Sequence, residues 1–183
     1  MSTKTTTNSA LNLLKRFEWQ QNIIYIGFVA VFLLFAITLG DSGFTSPNNL
    51  LNIFRQTATI SIMAVAMTYV IAAAEIDLSI GSVAGLAAVV AAMTIDTYGL
   101  FVGIAAGLAV GAIAGAISGG LVAWLKVPSF LVTLGMLGLV VGVARWITES
   151  APVPIADQTF IAIFGGADVG PIPGLLILSL IHI

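Results

Sequence analysis

Cysteine is absent from this chain of 183 residues, and its one histidine is the penultimate residue, His182. Disulfides and thiolate metal sites are therefore excluded, and a single terminal histidine leaves little room for zinc sites or histidine acid/base chemistry. The residues thus predict no metal site, no cofactor and no catalytic constellation.

Charge is also scarce, because only 8% of the residues are charged, whereas 59% are hydrophobic and the mean hydropathy is +1.12. These values lie well outside the range of soluble domains of this size. The six lysines and arginines form no basic surface, which excludes nucleic acid as a partner. The composition predicts an integral membrane protein whose surroundings are a lipid bilayer.

Long apolar runs predict an all-α, polytopic transmembrane helix bundle. Five of these runs are long enough for full spans, at residues 23–39, 58–74, 78–95, 100–125 and 130–144. A sixth run begins at Gly174, and its ten residues would reach only about 15 Å as a helix, half of a bilayer core of about 30 Å. We expect a polar tail at residues 1–22 and a transmembrane domain at residues 23–183 that is incomplete at its carboxyl end.

The ends of the runs indicate orientation. Residues 40–43 read Gly-Asp-Ser-Gly and not Ala-x-Ala, which favours a membrane anchor over a cleaved signal peptide. A cytoplasmic amino terminus places most cations inside, as the positive-inside rule prefers: Lys4, Lys15, Arg16 and Lys126 inside, Arg55 and Arg145 outside. The acidic, proline-rich residues 148–173 then form an external loop, with one short interfacial helix over DQTFIAIF.

The fourth run carries glycine at a strict interval of four, close to one helical turn. Such a stripe lets a neighbouring helix approach to backbone contact, so a leucine at its centre, position 111, is expected to push that neighbour away. We predict helix packing along the whole stripe, which comprises Gly103, Gly107, Gly111, Gly115 and Gly119.

Two carboxylates and a hydroxyl lie between the second and third runs, in AEIDLSIG at residues 74–81. An aspartyl protease dyad of Asp77 and Asp96 is excluded, because the helix between them would separate them by roughly 28 Å. Two readings remain for Asp77, Ser79 and Glu75. They line the pathway of a cation- or proton-coupled transporter, or Asp77 caps a helix entering at residue 78 with Ser79 helping. The predicted depth near the cytoplasmic end favours the cap.

Other polar groups lie at membrane depth, and hydroxyls there usually bond to the backbone of their own helix. These are Thr68, Ser118 and Thr133.

The order of motifs resembles the permease subunits of ribose-, xylose- and arabinose-type ABC sugar importers. Residues 44–88 show the phenylalanine, Asn-Asn-Leu, Gln-Thr, Met-Ala-Val-x-Met-Thr and Ile-Asp-Leu-Ser-x-Gly succession of that family. KVPSFLVTLGMLGLVVGVARWIT at residues 126–148 resembles the next signature, and APVPI continues it. One departure is Ala74-Glu75, where the family usually has Gly-Gly. It argues against a tight backbone turn there and adds a charge.

The resemblance implies a permease in a bacterial inner membrane that receives sugar from an external sugar-binding protein. A separate ABC ATPase subunit would drive it, and it would pair with a second permease subunit as a homodimer. The chain itself would then be no enzyme, which agrees with its lack of a Gly-Lys-Ser/Thr phosphate loop. The family's chains continue through further helices, and residues 178–183 (LSLIHI) resemble translated sequencing adaptor. An ion-coupled secondary transporter of a small polar solute and a nonfunctional truncated fragment remain the alternatives.

Overall fold

The computed structural model describes residues 19–166, 168–169 and 172–174. Most of the predicted polar tail, with Lys4, Lys15 and Arg16, lies outside the described residues. The same holds for all of the predicted sixth run after Gly174, including His182.

Helices make up most of the described structure. They are α1 (Trp19–Thr38), α2 (Pro47–Ala72), α3 (Ile80–Tyr98), α4 (Leu100–Ala123), α5 (Ser129–Thr148) and the short α6 (Gln158–Phe160), which continues as a π-helix (Ile161–Gly166). Strands β1 (Asp168–Val169) and β2 (Ile172–Pro173) pair antiparallel, two residues each.

Four of the described helices, α2 to α5, are long and apolar enough to cross a membrane. The apolar part of α1, Asn22–Thr38, is shorter. The prediction of a helical, multi-pass membrane protein is therefore confirmed in the described residues, apart from the two short strands. The count of five full spans and a truncated sixth stays a prediction.

Helix α2 begins well before the predicted run at residue 58. The Ser46 hydroxyl accepts a hydrogen bond from the Asn49 N–H (3.3 Å), and Pro47 follows it as the first helical residue. This is the cap that serine supplies to a helix with proline at its first position. The residues before the apolar run and most of the run itself consequently form one helix of 26 residues, about 39 Å long.

By its contacts the chain divides into two compact units, residues 1–52 and 53–183. In the first, Phe44 from the linker after α1 packs against two rings of α1, with centroid distances of 5.6 Å to Phe32 and 5.8 Å to Phe35. The Asn49 side chain donates to the Phe44 carbonyl (2.7 Å).

The core of the second unit lies among α3, α4 and α5. It comprises Leu86, Ala114, Met136 and Val140. Val132, Met136 and Val140 are buried at intervals of four along α5, so one face of this helix packs inward. Large apolar side chains such as Leu108 on α4 stay exposed, as expected for helices that face lipid.

Candidate functional site

The segment between α2 and α3, residues 74–79, forms a tight turn, which we call the 74–79 turn. Its first part is a Schellman motif, in which the Glu75 N–H donates to the Val70 carbonyl (3.1 Å) and the Ala74 N–H to the Ile71 carbonyl (2.9 Å). Ala74 adopts the left-handed conformation, with φ at 60°. The argument against a tight turn was therefore wrong: the helix end forms its usual bonds, at a cost of about 1 kcal/mol for a side chain at this φ.

Asp77 closes the second part of the turn. One of its carboxylate oxygens, Oδ1, accepts hydrogen bonds from both the N–H and the hydroxyl of Ser79, each at 2.7 Å. Helix α3 begins at Ile80 and not at residue 78, and its N-cap residue, Ser79, makes no side-chain cap bond. The carboxylate thus orders the residue before the helix, instead of bonding to the first free N–H groups of the helix as the cap prediction supposed.

The first turn of α5 binds the 74–79 turn through its backbone. The Ile76 N–H donates to the Ser129 hydroxyl (3.1 Å), and the Thr133 hydroxyl donates to the Ile76 carbonyl (3.2 Å). Thr133 is 4% exposed and Ser79 2%, so these polar groups lie in the interior. The partnership was not foreseen from sequence, because its members are more than fifty residues apart.

A cavity of about 400 Å³ lies between the 74–79 turn, the carboxyl-terminal half of α4 and the start of α5. This volume falls within the range of small-molecule sites, roughly 300–1,000 Å³. Its polar lining brings together all three acidic and hydroxyl residues singled out in AEIDLSIG with hydroxyls from α4 and α5: Glu75, Asp77, Ser79, Ser118, Ser129 and Thr133. The remaining lining is aliphatic or glycine.

The glycine stripe divides between two environments. A Cβ at Gly103 would lie 2.9 Å from the Ala91 carbonyl oxygen, and one at Gly107 would lie 3.1 Å from the Ala87 carbonyl oxygen, so both positions pack against α3. At Gly111, Gly115 and Gly119, no atom of the described residues lies within 4 Å of an added Cβ. These three line the cavity instead, which corrects the expectation of packing along the whole stripe and of displacement by leucine at position 111.

Two of the three hydroxyls singled out at membrane depth bond within their own helices. Thr68 donates to the Ala64 carbonyl (2.9 Å) and Thr133 to the Ser129 carbonyl (2.9 Å), as predicted. The Ser118 oxygen is buried and has no hydrogen-bond partner among the described residues. Ser118 is a lining residue of the cavity, but its oxygen is inaccessible to solvent.

At the opposite end of α3, Asp96 shares a smaller cavity, of about 260 Å³, with Asp157. The Asp157 carboxylate accepts from the Phe160 N–H (2.7 Å) and so caps α6. In the part of the chain that the structure describes, no group of three or more potential metal ligands occurs. Asp77 precedes the 19-residue helix α3 and Asp96 lies in its last turn, so the helix separates them as the sequence predicted.

Comparisons with known proteins identify a family and several relatives. Residues 49–170 match the protein family described as branched-chain amino acid transport system / permease component. Over 150 residues, 79% of this chain and 38% of the relative, the chain is 37% identical to the xylose transport system permease protein XylH of Escherichia coli (strain K12). It is 39% identical over 171 residues to the probable ABC transporter permease protein YphD of the same organism, covering 91% of this chain and 51% of the relative.

A third relative is the ribose import permease protein RbsC of Haemophilus influenzae, 36% identical over 150 residues, which cover 81% of this chain and 46% of the relative. The chain spans about half or less of the length of these relatives. No solved structure matches it significantly.

Proposed function

Since this chain belongs to the family of branched-chain amino acid transport system permease components, we propose that it is the membrane-spanning permease subunit of an ATP-driven importer that translocates a monosaccharide. The sugar class comes from the relatives, whose names specify xylose and ribose. An external binding protein delivers the sugar, and a separate ABC ATPase subunit drives transport.

The observation that carries this proposal is the cavity beside the 74–79 turn. Polar side chains within a membrane span are costly unless they face the bundle interior or a water-filled space. Here two acids and several hydroxyl residues line one cavity, including Asp77, Ser129 and Thr133. A permease requires such a polar surface among apolar helices, whereas a purely structural bundle does not.

The proposed assembly is a pair of permease subunits in a bacterial inner membrane. The amino terminus lies in the cytoplasm, the loop at residues 148–173 faces outward, and residues 23–183 belong to the membrane domain, with five full spans and part of a sixth. The cation distribution supports this orientation, because it places four cations inside (Lys4, Lys15, Arg16 and Lys126) and two outside (Arg55 and Arg145). In this orientation the 74–79 turn and its cavity lie at the cytoplasmic end of the helices.

Uptake by the complete gene product tests the proposal. Proteoliposomes that contain the permease, the ATPase and the binding protein should accumulate a labelled monosaccharide only when ATP is supplied. Accumulation without the ATPase, driven by an ion gradient, would instead identify a secondary transporter.

The orientation has its own test, because the chain contains no cysteine. A single cysteine at Thr159 should react with an impermeant thiol reagent on intact cells, and one at Thr7 should not. The reverse pattern would overturn the orientation.

A further inference from the structure

We propose that Tyr69, Tyr98, Trp124 and Trp146 form two aromatic belts in the headgroup regions of the bilayer, one at each end of the helices. The belts fix the depth of the protein in the membrane, and they assign to lipid the helix faces that carry them. This inference goes beyond the proposed function, because it concerns the lipid surface and not the transported molecule.

Each of the four spanning helices carries one of these residues at its carboxyl end. Tyr69 is the fourth residue from the end of α2, Tyr98 is the last residue of α3, Trp124 is the C-cap of α4, and Trp146 lies in the last turn of α5. Residues 53–183 contain no other tryptophan or tyrosine. Both residue types join an apolar ring to a polar N–H or O–H, which suits the boundary between hydrocarbon and water.

The four residues lie at two opposite ends of the bundle. Helix α2 leads into the 74–79 turn, and α4 ends beside it, because Glu75 and Lys126 line one cavity. Helices α3 and α5 begin at this turn and run away from it. One belt, Tyr69 and Trp124, therefore lies at the turn, and the other, Tyr98 and Trp146, lies at the far end.

The spacing of the belts fits a bilayer. Helix α4 connects them, since it begins two residues after Tyr98 and ends just before Trp124. Its 24 residues rise about 36 Å. This length exceeds the hydrocarbon core of about 30 Å and is shorter than the roughly 40–45 Å that includes the headgroups. Rings at the two ends of α4 therefore reach the headgroup regions.

The exposure of the rings identifies lipid as their partner. All four side chains are between 72% and 85% exposed. Exposed tryptophan and tyrosine also mark protein interfaces, but there the energetically important residues cluster near the centre of one patch. Here the rings lie on four helices and at two ends, so no single patch contains them. The bilayer surrounds the bundle at both ends and can meet all four.

The surface of α4 next to Trp124 suits acyl chains. A groove of about 600 Å³ extends along this helix from Ile113 to Leu125, and its lining is aliphatic or glycine apart from Trp124. The Trp124 ring lies back over Gly120, where an added Cβ would be 3.5 Å from two ring carbons. The indole thus lies along the helix, at the end of an apolar surface, as a belt residue above acyl chains would.

Depth-dependent quenching tests the belts in the chain reconstituted in phosphatidylcholine vesicles. The lipids carry bromine either near the headgroup or near the methyl end of their acyl chains, and bromine quenches tryptophan only on contact. Two variants keep Trp124 or Trp146 alone, with the other two tryptophans of the chain replaced by phenylalanine. In both, shallow bromine should quench about twofold more than deep bromine, because a belt residue lies at headgroup level.

The matched control is Ile113→Trp in a chain whose three native tryptophans are replaced by phenylalanine. Position 113 is exposed and lies on the same groove of α4 as Trp124. It is about 17 Å from Trp124 along the helix, near the middle of the hydrocarbon core. Its quenching should show the opposite preference, for deep bromine.

The belts are overturned if either native tryptophan prefers deep bromine, if the control is quenched like Trp124, or if neither lipid quenches a native ring, which would mean that a protein contact covers it. Trp19→Phe alone keeps both belt tryptophans and guards against misfolding of the other variants. It should also prefer shallow bromine, and a lack of preference would equally overturn the belts. Both leaflets carry the same lipid, so the result depends neither on orientation nor on transport.

Discussion

The two halves of α4 carry the same glycine spacing and meet different surroundings. Gly103 and Gly107 bring the backbone of α4 against α3, where the Ala91 carbonyl leaves no room for a side chain. Gly111, Gly115 and Gly119 face a cavity. One sequence pattern therefore serves close packing at one end of the helix and a solute-sized space at the other, and the change occurs where the 74–79 turn replaces a helix as the neighbour.

The largest expected effect tests the packed half. Gly103→Leu should destabilise the protein by about 3 kcal/mol, because the new side chain collides with the backbone of α3. Gly111→Leu should change stability by less than about 0.5 kcal/mol, since the added atoms enter the cavity. Thermal unfolding in detergent measures both. Equal losses for the two variants would erase the distinction between the halves.

The next largest effect concerns the turn that bounds the open half. Asp77→Ala removes an acceptor of two hydrogen bonds at 2.7 Å and leaves the buried Ser79 unsatisfied, which should cost about 2 kcal/mol. Asp77→Asn keeps an acceptor oxygen and should retain most of the folded protein.

Uptake by the complete transporter, corrected for the amount of folded protein, then distinguishes a structural role of Asp77 from a need for its charge in transport. We expect the Asn variant to keep most of its activity. A normally expressed Asn variant that transports nothing would mean that the ionised carboxylate itself is required, as in an ion-coupled mechanism.

The contact between α5 and the turn should have a smaller effect. Thr133→Val preserves the shape of the side chain and removes the donor to the Ile76 carbonyl, so we expect a loss of about 1.5 kcal/mol. Thr94→Val is the matched control, because the Thr94 hydroxyl bonds only within α3, to the Val90 carbonyl. A control that loses as much stability would show that the link between α5 and the turn contributes nothing of its own.

The smallest expected effect is an increase in stability. Ala74→Gly should stabilise the protein by about 1 kcal/mol, because glycine adopts the left-handed conformation at φ 60° without strain. Ala84→Gly, in the interior of α3, should have the opposite sign and a similar size. Chemical unfolding of both variants measures the difference, and a destabilised Ala74→Gly variant would contradict the Schellman geometry.

Much of the helical architecture could be predicted from composition and from the length of the apolar runs. The runs at residues 78–95, 100–125 and 130–144 correspond to α3, α4 and α5 within a few residues, because a membrane span must satisfy its backbone internally and therefore forms a helix. The start of α2 was placed too late. The helix is capped by Ser46 and begins at Pro47, and both residues precede the apolar run. A prediction from hydropathy alone therefore missed this start.

The candidate site could be predicted from the sequence only in part. Asp77, Ser79 and Glu75 were recognisable as polar groups between apolar runs, but the hydroxyls of Ser129 and Thr133 that hold the turn were not paired with them. Their contacts with Ile76 join segments more than fifty residues apart, and no local pattern encodes such a pairing. Ser118 was expected to bond within its helix, and no described residue forms a hydrogen bond with its side chain.

By itself the sequence determined that this protein is helical and lies in a membrane, because residue type and run length decide those properties locally. Only the tertiary structure decided which glycines pack and which stay open, because a glycine on a helix has the same local conformation in either role. What differs is the neighbour that arrives from elsewhere in the chain: α3 beside Gly103, and an open cavity beside Gly115.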